Sequence, residues 1–145
     1  KRLKKLQENA VRLGLKSPNV LVADASLLSD LKPHWKGYFN KILIDAPCSG
    51  LGTLARHPDA RWRVSQEIVD ELVDLQYRLL DGLLPLLASG GRIVYSTCTI
   101  HPKENTEQIH GFILNNEGLK LKYEKQIWPD EHVNGDGFYA AIIES

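Results

Sequence analysis

The chain holds two cysteines, and each follows a short apolar run: ILIDAPCSG at 42–50 carries Cys48, and RIVYSTC at 92–98 carries Cys98. A free cysteine inside a strand usually packs as a small hydrophobe. Here both sulfurs fall after the run, in a turn, where backbone N–H groups or a helix N-terminus can stabilise the reactive thiolate. Cys98 stands just ahead of a helix start at Pro102, and Cys48 lies between Pro47 and the Ser49-Gly50 pair, whose glycine lets the backbone approach a ligand closely. Two carboxylates accompany them: Asp45, three residues before Cys48, and Asp24, which closes VLVAD at 20–24. Two thiols and a carboxylate on one rim suit covalent catalysis, in which one thiolate adds to an electron-poor ring and another group later helps remove a proton. The same set suits a dithiol redox pair, and spacing alone does not separate the two.

The elements that must bring these residues together read as an α/β sheet. From Leu3 the apolar positions Leu6, Ala10 and Leu13 repeat at helical spacing and Gly14 supplies a stop. VLVAD (20–24) and KILID (41–45) are predicted as buried strands, each closed by an aspartate. Ser65 caps a helix with Glu67 in its first turn and Ile68, Val69, Leu72, Leu75, Leu79, Leu80, Leu83 and Leu84 close to helical spacing; Pro85 and Ser89-Gly90-Gly91 end it. RIVYS (92–96) is a third strand, Pro102 opens a helix through Ile109 and Phe112, LKLKYEKQ alternates like an edge strand, and GFYAAII closes the sheet. The last two strands can form a hairpin, so the sheet gains an antiparallel C-terminal strand. Open sheets of this kind collect ligands at the carboxyl ends of their strands, where Asp24, the 45–50 loop and the 96–99 loop all fall.

Bulk properties narrow the classes. With 145 residues, 43% hydrophobic and 25% charged, the chain is sized for one domain with a real core. Net charge is zero, so a polyanion must be met by local basic patches rather than by an overall field. No apolar run nears the roughly 18 residues that span a bilayer, and no signal-peptide core follows the basic start, which makes the expected location cytoplasmic with reduced thiols. The five histidines (34, 57, 101, 110, 132) show no metal-ligand pairing with each other or with the cysteines, so no metal is expected.

DAPCSG at 45–50 and YSTCTIHPKEN at 95–105 together resemble two signature motifs of the RNA cytosine-5 methyltransferases of the NOL1/NOP2/Sun type. The likeness runs over the whole chain, and RHPDARW at 56–62, PKENTEQI at 102–109 and the closing DGFYAA look most like a bacterial branch that acts on small-subunit (16S) ribosomal RNA. The resemblance implies a partial S-adenosylmethionine-dependent, Rossmann-like domain, with residues 1–145 forming the C-terminal portion of the catalytic domain. It implies Cys98 as the nucleophile that adds to C6 of cytosine, and Cys48 as the second thiol that assists loss of the C5 proton and release of the product. It places Asp45 on the cytosine edge at N3, and Asp24, Asp45 and Pro47 toward S-adenosylmethionine. Without it, Asp24 reads equally well as an N-cap or turn residue.

Reaction at C5 and C6 needs the base unstacked, so structured RNA with an accessible cytosine is the implied substrate. Arg56, His57, Arg61, Trp62 and Arg63 mix phosphate-binding charge with a ring able to stack, and are the candidate RNA contacts. The basic first helix, with Lys1, Arg2, Lys4, Lys5, Arg12 and Lys16, reads as a solvated face. Glu104, Asn105 and Glu107 read as support for the Cys98 loop.

One feature of the family is missing. No glycine-rich strand-to-helix turn precedes Val20, so by resemblance the sequence starts in the helix before the third strand, and the first two strands and an N-terminal RNA-binding part are expected outside it. The isolated chain is therefore expected to be inactive, to bind S-adenosylmethionine poorly, and to associate with the absent part of the enzyme or with itself through open strand edges. Methylation of transfer RNA or another ribosomal site, and a non-catalytic RNA-binding module, are the other readings.

Overall fold

The computed structural model describes residues 2–130 and 135–145; Lys1 and His132 lie outside them. Four strands form one mixed sheet in the order β1-β2-β4-β3: β1 is Phe39–Asp45, β2 Leu87–Thr97, β3 Lys120–Ile127 and β4 Phe138–Glu144. β1 and β2 run parallel, as their helical crossover demands, while β4 inserts antiparallel beside β2 and carries β3 on the sheet edge. The α/β class and the C-terminal hairpin expected from the sequence are both present.

The parallel pair sets the site. Ile44 lies beside Tyr95 and Asp45 beside Ser96, and Ala46 N–H continues the ladder to the Ser96 carbonyl at 2.9 Å. Both strands thus end at the same level, and the next few residues of each must emerge on one rim.

One face of the sheet is covered by α4 (Gln66–Leu83) and α5 (Thr106–Leu114). Leu80, Ile109 and Phe112 from these helices pack on Ile93, Tyr95, Tyr139, Ala141 and Ile143, which alternate along β2 and β4 as the pleat requires. α4 begins where expected: Ser65 is extended and its side chain accepts from Ile68 N–H at 3.4 Å. Ser65→Ala should cost about 1 kcal/mol in urea unfolding, the usual worth of such a cap. A loss indistinguishable from zero would mean that packing alone holds the first turn.

Three expectations need correction. VLVAD is not a strand: residues 20–24 run without a ladder partner, with Leu21 and Val22 exposed. Its aliphatic composition suits a pleated surface, but β propensity records packing against neighbours, and among the described residues no strand lies beside it. Ser89-Gly90-Gly91 does not lie outside the sheet either. β2 starts at Leu87, and the register jumps from Phe39 opposite Leu87 to Lys41 opposite Arg92, so Ala88 to Gly91 bulge out with Gly90 at φ +69°. Pro102 opens a 3-10 turn, Pro102–Glu104, and α5 proper starts after Asn105.

The helix α1 (Arg2–Arg12) forms as the periodicity predicts and ends near Gly14 at φ +67°. Of its apolar stripe only Ala10 is buried; Leu3, Leu6 and Leu13 are exposed, as is Val11. α2 (Leu28–Leu31) follows a 3-10 turn, Ala25–Leu27, which lies against α4 so tightly that a Cβ on Gly82 would strike the Ser26 backbone. No helix among the described residues is long and apolar enough to cross a membrane.

Candidate active site

The two sulfurs meet at the rim. Cys48 Sγ and Cys98 Sγ are 3.5 Å apart, both cysteines are free, and both are half-buried. That separation is a hydrogen-bonding contact and well beyond the roughly 2.05 Å of a disulfide. Burial, and next the negative charge of a Cys98 thiolate, push the Cys48 thiol from its ordinary 9.0 up to about 12. Cys48 thus keeps its proton and can donate S–H to the Cys98 sulfur.

A raised pKa means the protonated form persists to higher pH, so the reactive fraction of Cys48 is small and grows with alkalinity. Iodoacetamide labelling of Cys48, resolved by peptide mass spectrometry, should still be climbing tenfold per pH unit beyond 9.0 and level off only near 12. A plateau at 9.0 would show a thiol of ordinary acidity.

The turn that carries Cys48 is held from several directions. Gly50 takes φ +71°, and Gly52 donates N–H to the Cys98 carbonyl at 3.0 Å while accepting from Gly137 N–H at 2.7 Å. Three segments therefore meet edge to edge around Gly52. Beneath them, Ser49 N–H and Ser49 Oγ donate to the Glu104 carboxylate at 2.8 and 2.5 Å, and Ser49 Oγ also meets Thr99 Oγ1 at 2.8 Å. Gln76 Nε2 reaches both the Pro47 carbonyl at 2.9 Å and Glu104 at 3.1 Å. Asn105, buried, joins Thr97 Oγ1 at 2.7 Å, the Thr99 carbonyl at 3.0 Å and Gln126 Oε1 at 2.8 Å.

The structure brings Cys48, Cys98, Asp45 and Pro47 to one rim, with Asp45 and Pro47 exposed. Asp24 lies at the end of the extended 20–24 segment, where Oδ1 accepts from Ser26 N–H at 3.0 Å and from Ser26 Oγ at 2.7 Å. Those Ser26 bonds, side chain first, hold its carboxyl below the ordinary value. It is the N-cap of the Ala25–Leu27 turn. Arg56 and His57 follow the Cys48 loop, and Arg61, Trp62 and Arg63 lie on the short helix α3 (Ala60–Arg63); all five side chains are exposed. Arg56 is paired with Asp136 and Arg63 with Asp59 at 2.6 Å, whereas Trp62 is 84% exposed. Gln76 and Glu104 are site residues that motif reasoning passes over or assigns elsewhere. Gln76 offers one signal, a polar residue on the apolar stripe of α4.

Comparison with known proteins agrees with this geometry. A profile described as "16S rRNA methyltransferase RsmB/F" matches residues 1–144. Ribosomal RNA small subunit methyltransferase B of Shewanella oneidensis is 39% identical over 154 aligned residues, which take in 99% of this chain and 35% of that protein. The crystal structure of PH0851 superposes with a TM-score of 0.89 at 31% identity, over 99% of this chain and 34% of that one. NSun6 from Pyrococcus horikoshii, solved with SFG, gives 0.79 at 26% identity over 99% and 38%. The chain thus spans about a third of the length of the curated relatives it matches. By sequence and by fold, it belongs to the 16S rRNA methyltransferase RsmB/F family.

Proposed function

We propose that these residues form the thiol half of an enzyme that transfers a methyl group from S-adenosylmethionine to C5 of a cytosine in RNA, with 16S ribosomal RNA as the substrate. The observation that carries this reading is the pair of sulfurs 3.5 Å apart at the ends of two parallel strands, within the two motifs that suggested the chemistry. Cys98, as thiolate, adds to C6 and forms the S–C6 bond, and the electron pair displaced from the ring makes C5 nucleophilic. Asp45, exposed at the end of β1, would meet the cytosine edge and stabilise the electron distribution that addition requires. S-adenosylmethionine, when bound, supplies the methyl group that C5 takes. The C5 proton then passes to a water molecule, its C–H electron pair re-forms the C5–C6 double bond, and the S–C6 bond breaks to free Cys98 as a thiolate, to which Cys48 S–H donates.

The cofactor fits the residues present on one side. Asp24 keeps Oδ2 outside its cap, an acceptor suited to an amino or hydroxyl donor. Beside it, Leu21, Ala23, Ala25, Leu28 and Trp35 help line a groove of about 520 Å³. Pro47, its carbonyl pinned by Gln76, would wall the cofactor from the thiol side. The remaining contacts would come from the N-terminal part of the same enzyme. That part would cover exposed Leu43 and the free edge of β1, an arrangement supported by the share of the relatives this chain spans. With that part absent the open edge would pair with a second copy, which sedimentation would detect as a dimer. Arg56, His57, Arg61, Trp62 and Arg63 form the proposed RNA edge, with Trp62 the stacking candidate.

The deciding experiment uses the full-length enzyme containing this chain, S-adenosylmethionine and 16S RNA substituted with 5-fluorocytosine. Fluorine at C5 cannot leave as a proton does, so the Cys98–C6 bond should persist as a protein–RNA adduct on denaturing gels. A folded, cofactor-bound enzyme that forms no adduct with this RNA but does with transfer RNA would move the substrate; no adduct with either would favour a non-catalytic RNA-binding role.

A further inference from the structure

Glu104 is a carboxylate with no solvent exposure, set between the two cysteine turns and without an ion-pair partner within reach among the described residues. Burying such a group is costly unless donors converge on it. Three do: Ser49 N–H at 2.8 Å, Ser49 Oγ at 2.5 Å and Gln76 Nε2 at 3.1 Å. All three serve the turn around Cys48. Ser49 is its next residue, and the same Gln76 amide holds the carbonyl of Pro47, the residue before it. The backbone of Glu104 is fixed as well, since its carbonyl accepts the buried Tyr95 hydroxyl at 2.8 Å.

Direction matters as much as distance. A carboxylate only accepts, so Ser49 Oγ must spend its proton on Glu104 and is left to accept from the Thr99 hydroxyl at 2.8 Å; Thr99 Oγ1 in turn accepts from His101 N–H at 3.2 Å. Thr99 directly follows Cys98. One buried acceptor thus orders a chain of hydrogen bonds that ties the residue after each cysteine to the other. A fastener needed only for stability would be met equally well by apolar side chains of the same volume.

We propose that Glu104 is the positioning residue that sets Cys48 against Cys98 and thereby governs release of the covalent intermediate. The second half rests on the methyltransferase reading; the first does not. Glu104→Gln keeps the volume and one acceptor but turns the other into a donor facing Ser49 Oγ, whereas Glu104→Ala removes both.

Two measurements test this. In the first, the chain is treated with the thiol oxidant diamide, which takes the two thiol hydrogens as the Cys48–Cys98 disulfide closes, and closure is followed by mass. With circular dichroism unchanged, Glu104→Ala should close at least about tenfold more slowly than the native chain and Glu104→Gln less than about threefold more slowly, since reaction depends steeply on placement. Closure of folded Glu104→Ala at the native rate overturns the proposal. In the second, the full-length enzyme is given unsubstituted RNA and cofactor, and covalent adduct is measured against methylated product. Glu104→Ala should raise the adduct-to-product ratio, in the direction expected of Cys48→Ala, whereas mere loss of folded enzyme lowers both together. Slow closure with an unchanged ratio overturns the role in release. If the native enzyme makes neither adduct nor product, the methyltransferase reading fails, and the diamide rates alone decide whether Glu104 places the pair. Should Glu104→Ala not fold, Ser49→Ala, which removes the hydroxyl between Glu104 and Thr99, carries both measurements: closure at least about threefold slower and a raised adduct-to-product ratio are expected, and native values in both overturn the proposal.

Discussion

Cys98→Ala is expected to abolish the RNA adduct and to lower methyl transfer by roughly ten-thousand-fold or more, the usual penalty for removing a covalent nucleophile. The geometry leaves no substitute. Cys48 is the only other thiol, and its proton is held by burial and by the neighbouring sulfur. Cys48→Ala should behave oppositely on the gel: addition through Cys98 still proceeds, the departing sulfur lacks its S–H donor, and adduct accumulates even on ordinary RNA. Neither change should move the unfolding midpoint by more than about 1 kcal/mol, because each removes one half-buried sulfur at the rim and leaves the packed face of the sheet intact. Activity in Cys98→Ala within tenfold of native would reject Cys98 as the nucleophile. An adduct that instead disappears in Cys48→Ala would exchange the two roles.

Much of this site is legible in the amino-acid sequence. The apolar runs ending in Asp45 and Ser96 mark where two strands stop, and parallel pairing then forces Cys48 and Cys98 onto one rim. The Ser65 cap and the leucine spacing locate α4 nearly to the residue, since helix signals are local. What is illegible depends on partners far away in the chain. VLVAD has the composition of a strand and is none here, because a ladder needs a neighbour that composition cannot supply. Glu104 opens a helical turn and looks like ordinary dipole support for the Cys98 loop. Its carboxylate instead reaches back 55 residues to Ser49, on the other cysteine turn. Asn105 does support the Cys98 loop, through the Thr99 carbonyl and Thr97. The difference between these neighbours is which way each side chain faces, and that is set by tertiary packing of the Pro102–Glu104 turn, not by sequence spacing.

At the site itself, a large loss of stability is expected of Gly52→Ala. Its backbone conformation is open to any residue, so strain is not the cause; space is. A Cβ there would collide with the Gly137 carbonyl and stand 2.8 Å from the Cys98 carbonyl, both of them backbone atoms that cannot rotate away. The two segments must separate, which breaks the Gly52-to-Cys98 and Gly137-to-Gly52 hydrogen bonds. A loss of about 3 kcal/mol follows, or a drop of roughly 10 °C in Tm for a domain of this size. Gly50→Ala in the same turn makes the control. Its added Cβ meets only the Thr53 hydroxyl at 3.7 Å, so the cost is the left-handed backbone alone, about 1 to 2 kcal/mol. Gly50→Asn should recover part of that loss, because asparagine tolerates the left-handed region, whereas no side chain rescues position 52. If Gly52→Ala proves no worse than Gly50→Ala, the Gly137 segment yields readily. The Cys98 carbonyl is then not clamped, and the 3.5 Å sulfur separation has to be maintained by the Glu104 network alone.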